Sequence, residues 1–352
     1  MIISRTPFRV TLGGGGTDLP SYYSRYGGFI FAATLNKYMF INVNRPVVDD
    51  FVRVKYSKSE TVDHRDELQH EIAREALRML GIDRAIEIIS MADVPAGTGL
   101  GSSSCYAVGL LNALHTMKRE PVTLQQLAEE ACHLEIEVLA KPIGKQDQYM
   151  ATFGGFTSLE IDPDGTVAVR PVPVSQSIVD DLERNMLLFY TGTSRQSMDI
   201  LTEQSKGAAR ARTAVVDSLH QIKEMGYEIM EAIMRGRLTE FGLALDRHWQ
   251  MKKRISSKIS SPTFDRLYEL ARSNGALGGK ISGAGGGGFL TLYTESRHDR
   301  LRKAMLDAGL REMRYRFDFE GSKIIVNLMD ASFLGTLPAA DANKQRHMVQ
   351  SA

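Results

Sequence analysis

The chain has 352 residues, 43% of them hydrophobic, and its 43 lysines and arginines against 42 aspartates and glutamates leave a net charge of +1. That length exceeds the usual single core and predicts two domains, while the balanced charge gives no global reason to expect nucleic acid or an anionic membrane as a partner. Only Cys105 and Cys132 are present, without CxxC spacing, so neither a disulfide framework nor a zinc site is expected. No run approaches about 18 uninterrupted apolar residues, and the N-terminus carries arginines instead of an apolar core. The expectation is a cytoplasmic protein with neither export signal nor membrane span.

In chain order, residues 2–12 and 28–45 read as strands flanking a glycine run, with 51–56 and 85–89 as further strands. Leu68, Ile72, Ala76, Leu77 and Leu80 recur at helical spacing before a Gly81 stop. A helix opens at the serines near 102, with apolar residues at 107, 108, 111 and 114 on one face. Thr123 begins another, with Gln126 at the reciprocal capping position, and Leu124, Leu127, Ala131, Leu134 and Val138 carry its apolar face to Pro142. Strands at 156–161 and 167–172 lead to a Pro-containing link at 171–177, which marks a domain boundary. Beyond it, 186–190 reads as a strand, 198–235 and 237–254 as long helices and 264–272 as a shorter one. Strands at 289–293, 313–319 and 323–328 close the second domain, and the polar, aperiodic residues 336–352 form a loose tail. Strands and helices mixed in both halves predict an α+β chain with domains over 1–172 and 178–335.

The stretch Val94-Pro95-Ala96-Gly97-Thr98-Gly99-Leu100-Gly101-Ser102-Ser103-Ser104 carries the most information. Alternate glycines remove the side chains that would hold a ligand off the backbone, so successive N–H groups can turn inward around a polyphosphate. The helix that follows points its positive end at the same phosphate. The loop is not of the Walker type, because Gly101 stands where that signature needs lysine. Nor is it the dinucleotide fingerprint, because the spacing is G-x-G-x-G. Taken alone, it leaves an ordinary glycine-serine turn as an open alternative.

The same run resembles the central motif of the GHMP small-molecule kinases. Thr6 to Leu19, through Gly13-Gly14-Gly15-Gly16-Thr17-Asp18, is similar to that family's first motif, and Lys280 to Gly288 to its third. Lys141-Pro142-Ile143-Gly144-Lys145-Gln146-Asp147-Gln148 is similar to the segment carrying its catalytic aspartate. The resemblance implies an S5-like N-terminal domain and a ferredoxin-like C-terminal domain with ATP between them. It assigns ATP to Pro95, Gly97, Thr98, Gly99, Leu100, Gly101, Ser102, Ser103 and Ser104, and Mg²⁺ to Ser103 and Glu135, whose oxygens suit a hard cation. Asp147 becomes the base that orients the attacking hydroxyl, with Arg9 beside it. Gly14, Gly15, Thr17, Asp18, Lys145, Gly283, Ala284 and Gly285 fall at the substrate, where the Asp18 carboxylate can accept two hydroxyl bonds at once. The plain alternatives are a solvated helix face for Glu135, a turn for Asp147 and a cap or Asx turn for Asp18.

Galactokinases and mevalonate kinases of this family usually carry Gly-Glu-His in the first motif, and this chain has glycines there. With Gly-Lys-Gln-Asp-Gln, the pattern is most similar to the heptose kinases. That implies ATP-dependent phosphorylation of the anomeric hydroxyl of D-glycero-α-D-manno-heptose 7-phosphate to the 1,7-bisphosphate, for a GDP-heptose used in capsule or other surface polysaccharide. A phosphorylated acceptor needs a second anion site, for which Lys141, Lys145, Arg254 and the loop Thr193-Ser194-Arg195 are candidates. Two alternatives stand beside this reading: a kinase for an unphosphorylated sugar such as fucose, and a non-catalytic nucleotide or sugar sensor on the same fold. Oligomeric state is left open.

Overall fold

The computed structural model describes residues 1–192, 197–209, 213–256 and 258–328. Strand β1 (Ile2–Gly13) alternates between buried and half-buried residues at its start and is wholly buried from Thr6 onward, where helices pack over it. It pairs antiparallel with β2 (Gly28–Asn44), and α1 (Pro20–Tyr26) lies in the connection. β3 (Val52–Lys55) and β4 (Ser59–Val62) form a hairpin, and α2 (Glu71–Met79) leads to β5 (Ile86–Ala92), which runs parallel to β3 because a crossover joins them. Helix α3 (Ser102–Lys118) packs on β1 and β2 and is buried nearly all round, a wider apolar surface than the single face expected.

The capping box read from Thr123 and Gln126 is present at α4 (Leu124–Cys132), but the helix does not run on to Pro142. From His133 to Val138 it relaxes into a π-helical turn, with the Leu139 N–H on the Leu134 carbonyl at 3.0 Å. Helix α5 (Gln146–Phe153) follows, then β6 (Phe156–Ile161) and β7 (Val167–Pro171), which extend the sheet from β2.

The second half contains α6 (Gln176–Asn185), β8 (Met186–Tyr190), α7 (Ser197–Ala209), α8 (Thr213–Met234), α9 (Leu238–Lys253) and α10 (Pro262–Ser273). It continues with β9 (Gly278–Ile281), β10 (Phe289–Tyr293), α11 (His298–Asp307) and β11 (Arg311–Met313). The strand order β11-β8-β10-β9, all antiparallel, is the ferredoxin-like arrangement. The helical pattern over 198–235 takes in α7 and α8, and residues 210–212 between them lie outside the described residues.

Expected to close this second sheet, β12 (Phe317–Asp318) and β13 (Lys323–Asn327) instead return to the first, where β12 pairs with β2 and β13 with β1. A short apolar strand fits either sheet by pattern. Its partner is chosen by packing, here Phe317 on Phe156 at 4.6 Å between ring centroids. Among the described residues the first sheet has nine strands, the second has four, and no helix is long and apolar enough to cross a membrane. The expected tail over 336–352 lies outside the described residues.

Candidate active site

A cavity of about 790 Å³ is lined from both halves of the chain. One wall is the glycine-serine loop, through Pro95, Gly97, Gly99, Gly101, Ser102, Ser103 and Ser104. Gly101 caps α3 at φ 87°, so no capping side chain competes for the first-turn N–H groups at the cavity wall. Thr98 and Leu100 do not line the cavity. Thr98 is buried with its Oγ1 donating to the Pro95 carbonyl at 3.0 Å, and Leu100 sits in the core while its carbonyl accepts the Arg9 N–H at 3.2 Å. Both shape the loop.

The third glycine run presses on this loop. A Cβ at Gly99 would stand 2.6 Å from the Ser282 carbonyl oxygen, and one at Gly283 would stand 2.7 Å from that of Gly99, so both positions require glycine. Gly283 and Ala284 reach the cavity, whereas Gly285 packs on Ile259 instead.

Arg9 and Asp147 come together from β1 and the first turn of α5. The Arg9 Nε and Nη2 both donate to Asp147 Oδ1, at 2.7 and 2.6 Å, and Nη1 donates to the Gly99 carbonyl at 2.6 Å. Asp147 Oδ2 carries no bond from Arg9 and faces Gly101, where an added Cβ would lie 3.3 Å away. Arg9 is buried, and Asp147 lies in the first turn of α5 and is partly open, so the plain reading of Asp147 as a turn residue fails.

Asp18 is 1% exposed yet touches the cavity. Its Oδ2 accepts the Gln146 N–H at 3.1 Å and its Oδ1 the Gly16 N–H at 3.2 Å. Burial pushes its carboxyl pKa up, opposed in part by the Gln146 N–H, and the nearby Asp147 charge adds to the rise. Gly144 leaves room for this carboxylate, since a Cβ there would stand 1.9 Å from Oδ2.

Glu135, on the π-helical turn, is fully buried and is no solvated helix face, and it stands behind the cavity wall without lining the cavity itself. It accepts from Ser103 Oγ, from Ser104 Oγ at 2.6 Å and from Gln148 Nε2 at 2.8 Å, with Lys141 Nζ at 3.4 Å. The π turn re-aims Glu135 under the start of α3, a placement that regular helical spacing does not predict.

Several expected contacts are absent from the cavity. Thr17 is fully buried, its hydroxyl between the Gly14 and Phe29 carbonyls at 2.8 Å each, so it and Gly14 build the turn that presents Gly15, Gly16 and Asp18. Lys145 turns away, donating to the Gly165 carbonyl at 2.5 Å under the Tyr23 ring. Arg254 is exposed and lines nothing here, whereas Lys141 does reach the cavity. Arg195, with Thr193 and Ser194, lies outside the described residues.

The structure adds Thr11, Gln146, Gln204, Lys252 and Lys280 to the lining. Lys252, on α9, donates to the Gly283 carbonyl, and burial together with Arg9 lowers its pKa to about 8. Lys280, on β9, donates to the Leu12 carbonyl at 2.9 Å. Lys280 lay in plain view inside the third motif, but Lys252 sits in an ordinary helical pattern that carries no local signal. At the other end of the cavity, Tyr56, His70 and Tyr106 form an aromatic group, with His70 4.6 Å from Tyr56 and 4.5 Å from Tyr106 between ring centroids.

Residues 68–155 match the GHMP kinases N terminal domain and residues 229–310 the GHMP kinases C terminal domain. Over 344 residues the chain is 30% identical to a D-glycero-alpha-D-manno-heptose 7-phosphate kinase of Campylobacter jejuni, covering 92% of this chain and 97% of that protein. It is 27% identical to the L-fucokinase/L-fucose-1-P guanylyltransferase of Bacteroides fragilis, over 87% of this chain and 36% of that longer protein. Among solved structures, a D-glycero-D-manno-heptose 1-phosphate kinase from Bacteroides thetaiotaomicron superposes with a TM-score of 0.77 at 25% identity, covering 94% of this chain and all of that one (100%).

Proposed function

This chain belongs to the GHMP kinases and is an ATP-dependent sugar kinase, and from that premise we propose that it phosphorylates the anomeric hydroxyl of D-glycero-α-D-manno-heptose 7-phosphate. The observation that carries the chemistry is the Arg9–Asp147 pair, with one carboxylate oxygen held by arginine and the other turned to the phosphate loop. Phosphoryl transfer is mainly positioning and charge stabilisation. Asp147 Oδ2 accepts the proton of the acceptor hydroxyl as its oxygen bonds to the γ-phosphorus. The bond to the β–γ bridging oxygen breaks and ADP leaves. Arg9 holds the carboxylate in place through its two contacts to Oδ1.

The loop from Pro95 to Ser104 and the start of α3 take the triphosphate, and the Tyr56, His70 and Tyr106 rings offer an aromatic seat for the base. Ser103, on the cavity wall, and Glu135, buried behind it, are the oxygen donors that would hold Mg²⁺, with water and nucleotide oxygens completing its shell. Bound there, Mg²⁺ would neutralise phosphate oxygens. In this structure Glu135 shares its charge with Lys141 and with the serine hydroxyls.

Similarity along nearly the whole chain to a heptose 7-phosphate kinase supports the acceptor, as does the glycine-rich first motif. The product then serves a nucleotide-activated heptose for surface polysaccharide, made in the cytoplasm where ATP is available; the free, buried Cys105 and Cys132 suit that compartment. The proposed limits are an N-terminal domain over 1–172 and a C-terminal domain over 178–335, with the latter lending β12 and β13 to the first sheet. The fucokinase similarity favours a second reading, an unphosphorylated sugar. The test is ATP turnover with Mg²⁺ on heptose 7-phosphate, mannose 6-phosphate, mannose, fucose and galactose, with the new phosphate located by ³¹P NMR. A new anomeric phosphate formed preferentially on the 7-phosphate supports the proposal, and turnover only on a free sugar overturns the acceptor.

A further inference from the structure

Lys252 and Lys280 approach the cavity from α9 and β9, and among the described residues neither has a carboxylate within ion-pair distance. The ammonium of each rests on a backbone carbonyl, Gly283 for Lys252 and Leu12 for Lys280. Both are buried, at 6% and 3% exposure, and the third cation nearby, Arg9, is already committed to Asp147. Behind them His248 is completely buried with neither ring nitrogen partnered, and it offers no negative charge. Two buried amines beside a third cation are costly unless an anion completes the set.

We infer that Lys252 and Lys280 form a phosphate-binding site in the acceptor half of the cavity. Leu12 leads directly into the glycine turn that carries Asp18, and Asp18 is the carboxylate whose charge reaches Lys252. The pair therefore enters the cavity beside Asp18 and the third glycine run, next to the Arg9–Asp147 pair. Burial and the Arg9 charge lower the pKa of both lysines, with Lys252 adding to the fall at Lys280, and an arriving phosphate reverses this by supplying the counter-charge. Two sources offer that chemistry: the phosphate already on the acceptor, and the phosphoryl group in transfer. This inference rests on the kinase reading but not on the heptose one.

The test uses Lys252→Met and Lys280→Met, with Lys252→Arg as the conservative variant and Arg254→Met as an exposed control. First, inorganic phosphate is titrated by calorimetry into protein whose nucleotide half is filled with ADP, which leaves the position of the phosphoryl in transfer open. The wild type and Arg254→Met bind it alike, and each Lys→Met variant binds it about tenfold or more weakly, the loss expected for a charge-assisted contact. Lys252→Arg recovers part of the affinity.

Steady-state kinetics then separate the sources. If the acceptor's own phosphate sits there, KM for heptose 7-phosphate rises at least about tenfold and that for free heptose does not move. If the site serves the phosphoryl in transfer, kcat falls by a similar factor on both acceptors and their ratio stays constant. Phosphate affinity and both sets of kinetic constants within about twofold of wild type, in variants that melt normally, overturn the site. A wild type indifferent to the 7-phosphate sinks the heptose reading alone, because the phosphate titration still reports on the lysines.

Discussion

Replacing Asp147 with asparagine isolates the base from its scaffold. Both Arg9 contacts, at 2.7 and 2.6 Å, go to the same oxygen, Oδ1. Asparagine can keep a carbonyl oxygen at that position and put its NH₂ group where Oδ2 faced the loop. The arginine stays anchored, also by its 2.6 Å bond to the Gly99 carbonyl, and the phosphate loop keeps its shape. What is lost is the proton acceptor, since an amide NH₂ only donates. Positioned acid-base groups are worth about a hundredfold to ten-thousandfold in rate, so kcat should fall at least about a hundredfold, or about 2.7 kcal/mol of barrier. KM for ATP should stay within about threefold, because Asp147 touches the acceptor side of the reaction. The assay is steady-state turnover on the best acceptor, with nucleotide affinity measured by calorimetry. A kcat within about threefold of wild type would remove Asp147 from the mechanism. A fall in kcat accompanied by lost ATP binding would make the aspartate a scaffold for Arg9 instead.

Gly144→Ala drives a Cβ to 1.9 Å from Asp18 Oδ2 and should raise the acceptor KM about tenfold at unchanged ATP affinity, with an overpacking cost of about 1–3 kcal/mol visible in thermal melts. An unmoved acceptor KM would separate Asp18 from the acceptor. Glu135→Gln keeps an acceptor oxygen but loses the charge, so the Mg²⁺ concentration for half-maximal rate should rise about tenfold or more, and an unchanged titration would make Glu135 structural. Glu135→Ala strands the partners around a fully buried carboxylate and should destabilise the fold by about 3–5 kcal/mol, checked by melting. Lys252, depressed from 10.5 to about 8, is protonated below that value, so phosphate affinity should be highest below pH 8 and fall as pH rises through it. Between about 8 and 10.5 the unfolded chain holds a proton that the folded one has released, so the ligand-free fold should gain stability with rising pH in that window. Lys252→Met should lose this Lys252 contribution to the slope.

The parts of the site legible in the sequence are those in which one short segment performs one task. The loop from Pro95 to Ser104 must be glycine-rich to admit a phosphate and must open a helix to hold it, and both demands are written within its own residues. The strands beside it were legible because β1 and β2 are long and apolar enough to show a period. α5 was not, because its eight residues are nearly all buried beyond Asp147 and show no polar face to set a helical rhythm. The return of β12 and β13 to the first sheet was hidden for a different reason: strand patterning specifies which face is apolar and says nothing about which edge is free.

The same distinction separates the two kinds of charge in the cavity. Arg9, Asp147 and Glu135 act through pairings that fix their geometry, and each lies in or beside a recognisable segment. Lys252 is brought in by the packing of α9 on β9, and it meets Gly283 and the Leu12–Lys280 contact only because the third glycine run is pressed against Gly99. Its neighbours are distant in sequence, and its helix reads as ordinary. The glycines that make the loop legible therefore also create the less legible half of the site. By letting the two backbones approach, they bring a second pair of cations toward the Arg9–Asp147 pair. Widening that approach should perturb the lysines and the phosphate loop together: Gly283→Ala, whose Cβ would meet the Gly99 carbonyl at 2.7 Å, is expected to weaken both ATP and phosphate binding by about tenfold. Loss of only one of the two would show that the lysine pair and the loop are positioned independently.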